Sequence, residues 1–225
     1  MFLWTGFVDA AMVLEELDRR LPPGPIRFLD FGGGCGRVAR HLAAVPGLKL
    51  SLADANGEHA AFAASSIPGL EAYRCGDAPP LDRPDASYDA CLALSVFTHL
   101  PDGAYDAWLR ELARVIRPGG VLLATLHGID AVGRIAETAV LQEYFRLGAA
   151  EAREILAAVR RPGTFVYRRY DRDQLEAAGA GADYGSTFVS VDEAERRAAA
   201  AGFETLEYRP AGLRGWQDLA VLRRR

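Results

Sequence analysis

Apolar and polar positions change period several times along the chain, and each change marks an element. Val8, Met12, Leu17 and Leu21 fall near one face at helical spacing, so residues 7–21 predict an amphipathic helix that Pro22-Pro23-Gly24-Pro25 stops. The short apolar run Ile26 to Phe31 predicts a first strand, a glycine-rich turn follows, and residues 37–44 predict a helix. Leu48 to Ala53 reads as the second strand, residues 57–66 as a helix and Leu70 to Cys75 as the third strand. Tyr88 to Leu94 is almost wholly apolar, as expected for a strand covered on both faces. Asp102 is placed to cap a helix in which Tyr105, Trp108, Leu109, Leu112 and Ile116 recur at core spacing. Pro118-Gly119-Gly120 then turns the chain into another apolar strand, Val121 to Leu126.

Strands and helices thus alternate from residue 26 to 126, which predicts a parallel sheet with right-handed crossovers. After His127 the regularity breaks. Residues 130–160 read as helical, and residues 163–189 hold aromatics, glycines and a short helix that Asp171 can cap. Ser190 and Glu193 have capping-box spacing for a helix ending near Gly202. Phe203 to Tyr208 and Trp216 to Leu222 read as two last strands. No Pro/Ser linker intervenes, so residues 1–225 are taken as one domain carrying an insertion at 128–187.

Composition narrows the partners. The 225 residues carry a formal charge of −4, which argues against a nucleic-acid backbone as the main partner. Arg223, Arg224 and Arg225 form a short cationic tail, read as a solvated terminus. Lys49 is the sole lysine, which points to codon usage rather than chemistry. Cys35, Cys75 and Cys91 are odd in number and set in apolar segments, which fits free thiols in a reducing cytoplasm. No signal peptide precedes Asp9, and no run approaches the roughly 18 apolar residues of a membrane span, so a soluble cytoplasmic protein without a membrane partner is expected.

The sharpest chemical signal is Phe28-Leu29-Asp30-Phe31-Gly32-Gly33-Gly34-Cys35-Gly36-Arg37, lying between the first strand and a helix. Glycines there permit positive φ and close approach of backbone to a ligand, and a helix N-terminus offers free N–H donors. Asp54 ends the second strand about twenty residues on, a spacing suited to ribose hydroxyls, which a carboxylate can accept bidentately. Asp77 follows the third strand, where it can accept from an amino group. Three acids at the carboxyl ends of three strands converge on one crevice.

Asp30-Phe31-Gly32-Gly33-Gly34-Cys35-Gly36 resembles the first motif of the class I S-adenosylmethionine-dependent methyltransferases. Asp85 to Pro101 is similar to their fourth-strand segment, and Arg114 to Leu122 to the entry of their fifth strand. The resemblance covers about residues 26–127 and the two final strands. It implies a Rossmann-like αβα sandwich whose mostly parallel seven-stranded sheet has an antiparallel last strand. It implies S-adenosylmethionine as cofactor and S-adenosylhomocysteine as product. It places the methionine end at Asp30 and the turn Gly32, Gly34 and Gly36, the ribose at Asp54 and the adenine at Asp77, with Ala55, Ala78 and Ser95 beside them. Gly33 departs from the pattern, many members having a larger residue there, and is expected to be tolerated. Gly34-Cys35-Gly36-Arg37-Val38-Ala39 also fits the G-x-G-x-x-A turn of dinucleotide enzymes, so an NAD-dependent oxidoreductase is the rival enzyme. A non-catalytic cofactor-binding partner subunit is the third reading.

Methyl transfer is an in-line displacement that gains most from alignment, with a base needed only where the nucleophile must lose a proton. His99 and His127 follow the fourth and fifth strands on the crevice side and are the candidate bases, whereas His41 and His59 sit on predicted helices and are set aside as surface residues. The insertion brings Tyr167, Tyr170 and Tyr184, expected to shape the pocket of a small-molecule acceptor beneath a lid; a dimerisation element is its alternative use. Cysteine and histidine spacings give no metal motif, and Asp102 with Asp106 read as a helix face.

Overall fold

The computed structural model of the chain describes residues 1–178 and 183–225, so part of the expected lid, 179–182, lies outside the described residues. Seven strands form the main sheet: β1 (Ile26–Phe31), β2 (Leu48–Asp54), β3 (Glu71–Arg74), β4 (Tyr88–Ala93), β5 (Ile116–Leu126), β8 (Phe203–Leu213) and β9 (Gln217–Arg224). Their order is β3-β2-β1-β4-β5-β9-β8. Pairs from β3 to β5 are parallel, and β9 runs antiparallel to both its neighbours. The expected Rossmann-like sandwich, with its antiparallel final strand, is therefore present.

Alternation along the strands sorts side chains into two cores. Leu29, Phe31, Cys91 and Leu122 pack with Trp108, Leu112 and Ala198 on one face, under α4 (Asp102–Val115) and α9 (Val191–Ala200). Phe28, Leu52, Leu92 and Leu123 pack with Val13, Leu17, Leu42 and Ile67 on the other, under α1 (Phe2–Arg20), α2 (Ala39–Leu42) and α3 (Gly57–Ser66). Each buried large side chain of this kind contributes about 2 kcal/mol, and both faces must be covered for a parallel sheet to persist.

Residues 128–189 are not the irregular segment the sequence pattern implied after residue 163. They build α5 (Ile129–Glu137), α6 (Ala139–Phe145), α7 (Ala149–Val159), α8 (Arg172–Ala178) and an antiparallel pair, β6 (Phe165–Arg169) with β7 (Gly185–Val189). A third core of Val132, Ile135, Phe145, Leu147, Ile155 and Phe188 fills this lobe. β7 is also tied to the main sheet: Gly185 N–H donates to His99 O at 3.2 Å, Thr187 N–H to Thr98 O at 2.8 Å and Val189 N–H to His127 O at 3.1 Å.

Three local expectations change. The helix after the glycine turn spans only Ala39–Leu42, because turns occupy the residues between Gly34 and Val38. Asp102 is not a cap: Pro101 holds that position without a side-chain bond, and the Asp102 carboxylate instead accepts from Arg197. Ser190 precedes α9 but its side chain does not cap it, and Glu193 accepts from Arg196 and Arg197 at 2.6 and 2.7 Å. An arginine reaching a carboxylate makes a charge-assisted pair stronger than a neutral cap, which explains the choice. The Asp171 cap does form, as a reciprocal box in which Gln174 N–H donates to Asp171 at 2.9 Å and Asp171 N–H to Gln174 at 3.1 Å.

α1 is seated over the glycine turn by buried charge. Asp9, wholly buried, accepts from Arg37 at 2.6 Å and faces Arg214 at 3.0 Å. Gly6 lies against the Arg37 carbonyl, so closely that a Cβ would sit 2.1 Å from its oxygen. Removing one member of such a pair strands the others. Asp9→Ala is expected to lower the unfolding free energy by about 2 kcal/mol and to speed amide exchange in α1. Urea denaturation with hydrogen exchange checks this, and unchanged values in both would show that the pair does not seat the helix.

Candidate functional site

The site begins where β1 ends. Gly32 N–H donates to Ala53 O at 2.8 Å, drawing the turn across the end of β2, and Gly36 N–H closes it onto Gly33 O at 3.0 Å. Gly32, Gly34 and Gly36 all have φ between 56° and 77°, the left-handed region that glycine enters without penalty. They differ in what they face. A Cβ on Gly32 would strike Val96, and one on Gly36 would strike Ile67 of the segment closing α3, so these two serve packing. A Cβ on Gly34 would meet no atom within 4 Å, so its backbone lies open to a ligand.

The acids are arranged unequally around this turn. Asp54 stands at its lip, accepting the Gly34 N–H at 2.7 Å on one oxygen and the Asn56 N–H at 2.9 Å on the other. Each oxygen keeps a second lone pair for a ligand hydroxyl. Asp30 is buried beneath the turn rather than exposed in it, with one carboxylate oxygen lacking a hydrogen-bond partner. A Cβ on Gly33 would come within 2.8 Å of that carboxylate and 2.7 Å of Leu52, so glycine at this position makes the room Asp30 occupies. Burial raises the Asp30 pKa to about 7; the Arg37 charge opposes that rise and the Asp54 charge adds to it. Asp77 and Ala78 are exposed past β3, Ala55 is exposed just past β2, and the charges of Asp54 and Asp77 both act on Cys75. Asp54 therefore stands beside the turn, and Asp30 underlies it.

A second group faces the ends of β4 and β5. The His99 Nδ1–H donates to Gly185 O at 2.7 Å, which leaves Nε2 as the unprotonated nitrogen. Burial lowers its pKa below the usual imidazole value. Tyr184 stacks on His99 with ring centroids 4.5 Å apart and planes 16° apart, and Tyr170 stands edge-on to His99 and Tyr184 at 6.1 and 5.8 Å. Tyr167 is not in this group: its hydroxyl donates to Asp183 O at 2.8 Å, bracing the approach to Tyr184. His127 is 2 % exposed and enclosed by Phe145, Phe188 and Trp216. Burial first, then the charge of His99, pushes its pKa down to about 3, so it stays neutral.

Ser95 joins the two halves. It adopts φ 58°, and its N–H donates to Thr125 Oγ1 at 2.7 Å. Its hydroxyl pairs with Gln217 at 3.0 Å, and Gln217 Nε2 lies 3.4 Å from His127 Nε2. Thr125 and Gln217 were missed by sequence reasoning, although Gln217-Asp218 is a polar pair inside an apolar strand and that contrast was the available signal. Asn56 was missed as well: its side chain caps α3 through Glu58 N–H at 2.9 Å and His59 N–H at 3.3 Å. The two histidines set aside as surface residues are placed differently. His59 is exposed but its Nδ1 lies 3.9 Å from the Asp54 carboxylate, because that cap points the first turn of α3 back toward the strand end. His41 is partly covered by Phe7 of α1.

Residues 28–120 match the family model described as a methyltransferase domain. The chain is 31 % identical over 133 residues to the methyltransferase GfsG of Streptomyces halstedii, covering 57 % of this chain and 47 % of that one. It is 34 % identical over 119 residues to the 2-methyl-6-phytyl-1,4-hydroquinone methyltransferase of Synechocystis sp., covering 52 % and 36 %. The matched stretch thus spans less than half the length of either curated relative. In fold, the chain superposes with a TM-score of 0.59 on the Burkholderia thailandensis 1,6-didemethyltoxoflavin-N1-methyltransferase solved with that substrate and S-adenosylhomocysteine, at 16 % identity and covering 98 % of this chain and 78 % of that one. None of these supports the oxidoreductase or the non-catalytic reading.

Asp30 binds a proton on folding between about pH 4 and 7, so its contribution favours the folded state in acid and is lost as pH rises through its folded pKa. Asp30→Asn removes that titration. Urea melts are expected to show the variant gaining about 2–3 kcal/mol on the wild type between about pH 5 and 8. A difference independent of pH would contradict the buried, protonated carboxyl.

Proposed function

We propose that this chain, whose residues 28–120 match a methyltransferase-domain family model, is a class I S-adenosylmethionine-dependent methyltransferase that transfers the cofactor's methyl group to an oxygen of a small molecule. The cofactor would supply a methyl already activated by a sulfonium. The residues fit such a group: the open backbone at Gly34 admits close approach, and the Asp54 carboxylate has lone pairs to spare for ribose hydroxyls. Asp77 and Ala78 would border the adenine, with Ala55 beside the ribose. Gly32 and Gly36 shape the turn, and Asp30 holds it from below instead of touching the ligand. Ser95, at the end of β4, would face the methionine end.

The observation that carries the choice of oxygen is the His99–Gly185 hydrogen bond. It fixes one tautomer, and the lowered pKa keeps Nε2 unprotonated at neutral pH. A hydroxyl must lose its proton as its oxygen bonds the methyl carbon and the carbon–sulfur bond breaks. His99 Nε2 takes that proton and returns it to solvent. His127, enclosed and held neutral, acts in this proposal as a support behind Gln217 and Ser95 and not as the base. Tyr170 and Tyr184 would wall the acceptor pocket, with the lobe from 128 to 187 as its roof and Tyr167 bracing it.

Two outcomes test this. Asp54→Ala is expected to weaken S-adenosylhomocysteine binding at least about tenfold, as loss of a bidentate acceptor requires, with the fold kept by circular dichroism; unchanged affinity would remove the ribose assignment. With a screened hydroxyl acceptor, the wild-type kcat/KM is expected to rise with pH through an ionisation below 6.5 and then level. His99→Gln should lose that limb and about 10²–10⁴ in kcat. A variant with the wild-type pH profile would show that His99 is not the base.

A further inference from the structure

Three arginines meet at the carboxyl edge of the sheet with one carboxylate among them. β9 runs antiparallel to β5 with Asp218 opposite Leu126, so the β8–β9 hairpin that carries Arg214 lies at the edge where β1 and β5 end. Asp9 of α1, wholly buried, accepts from Arg37 at 2.6 Å on one oxygen, and Arg214 Nε lies 3.0 Å from the other. Arg134 of α5 reaches the same hairpin: a Cβ built on Gly215 would lie 3.7 Å from its Nη2. Among the described residues Arg134 has no hydrogen bond or ion pair, and Asp9 is the one acid within salt-bridge distance of Arg214. Elsewhere on α1 the charges are matched: buried Glu16 holds Arg20 and Arg209, and Glu207 reaches both arginines as well. At Asp9 no second acid stands by. Like charges gathered in this way repel unless an anion comes between them, and here the positive charge is exposed while its carboxylate is not.

We propose that Arg134 and Arg214 bind a carboxylate carried by the methyl acceptor. This deepens the methyltransferase reading and rests on it. Position assigns the anion to the acceptor and not to the cofactor. Arg37 follows the glycine turn, and its guanidinium is held by Asp9. Arg134 and Arg214 belong instead to the helix after β5 and to the β8–β9 hairpin, on the far side of β4 from the strand that ends in Asp54. The hairpin runs on into Trp216, whose ring centroid is 6.0 Å from that of His127, and into Gln217, which bonds Ser95 at the end of β4. The two arginines therefore flank the ends of β4 and β5, where His99 and His127 stand. A guanidinium is a planar fork that matches a carboxylate, and two forks from different elements can donate to both of its oxygens. Asp9 holds Arg214 through Nε, which aims the side chain and leaves both Nη groups for a ligand.

The test follows the arginine Nε–H signals of the full chain by ¹H–¹⁵N NMR in low-salt buffer, where a partly exposed charge pair is least screened. The signals are assigned with Arg134→Gln and Arg214→Gln, and each titration is run with and without saturating S-adenosylhomocysteine. The probes are sodium benzoate and its neutral isostere benzamide. Benzoate should shift the Arg134 and Arg214 signals saturably, and benzamide should not. Each single variant should bind benzoate at least about threefold more weakly than wild type, and the double variant at least about tenfold. Asp9 keeps Arg37 in every variant, so S-adenosylhomocysteine affinity should stay at the wild-type value. No saturable shift with benzoate, equal binding of benzamide, or unchanged benzoate affinity in the double variant would overturn the proposal. So would S-adenosylhomocysteine alone shifting both signals and blocking benzoate, since the cofactor's own carboxylate would then fill the site. Failure of the wild type to bind S-adenosylhomocysteine would sink the cofactor reading, while the titration without it would still decide whether the arginines hold a carboxylate.

Discussion

The hydrogen bond from the Gly34 N–H to the Asp54 carboxylate, 2.7 Å long, joins the ends of two parallel strands, and the site is organised around it. It requires positive φ at residue 34, hence glycine, and it requires β1 and β2 to be in the register that pairs Asp30 with Leu52 and Phe31 with Ala53. That register puts a second carboxyl, Asp30, beneath the same turn, where glycine at 33 alone leaves it room. Burial holds Asp30 toward its neutral form, with the Arg37 charge opposing that and the Asp54 charge adding to it. The turn is thereby stiffened from below and left open above.

The other half of the site depends on β7. This short strand supplies the Gly185 carbonyl to His99, the Phe188 ring to the cover over His127, and N–H hydrogen bonds to the backbone carbonyls of Thr98, His99 and His127. The lobe after β5 is thus built onto the sheet, with its own core, and not draped across it. Gln217 and Ser95 connect His127, at the end of β5, to the end of β4, so the two halves share one polar chain.

The sheet was legible in the sequence because apolar runs such as Tyr88 to Leu94 and Val121 to Leu126 have one reading when helices alternate with them. The glycine turn and Asp54 were legible for a local reason too: their geometry is set by neighbours in two adjacent strands. What was hidden depended on distant partners. The segment Phe165 to Val189 mixes arginines, tyrosines and threonines without clear period, and its two strands form because β7 finds open backbone beside His99. Asp102 and Ser190 have the spacing of caps, but Arg197 draws Asp102 and Glu193 away, and its guanidinium also lies over the Phe165 ring at 4.2 Å. His99 and His127 looked alike as a pair at two strand ends; the packing of Phe145, Phe188 and Trp216 encloses His127, while His99 stays half-buried.

These features converge on the open backbone at residue 34, and calorimetric titration of S-adenosylhomocysteine into wild-type protein and Gly34→Ala probes it most directly. The added methyl meets no protein atom, so the variant should stay folded with only about 1 kcal/mol of left-handed backbone strain. Wild type should bind one equivalent and the variant at least about tenfold more weakly, as a methyl group thrust into a fitted contact demands. Equal affinity in the two proteins would show that the cofactor does not lie against this turn.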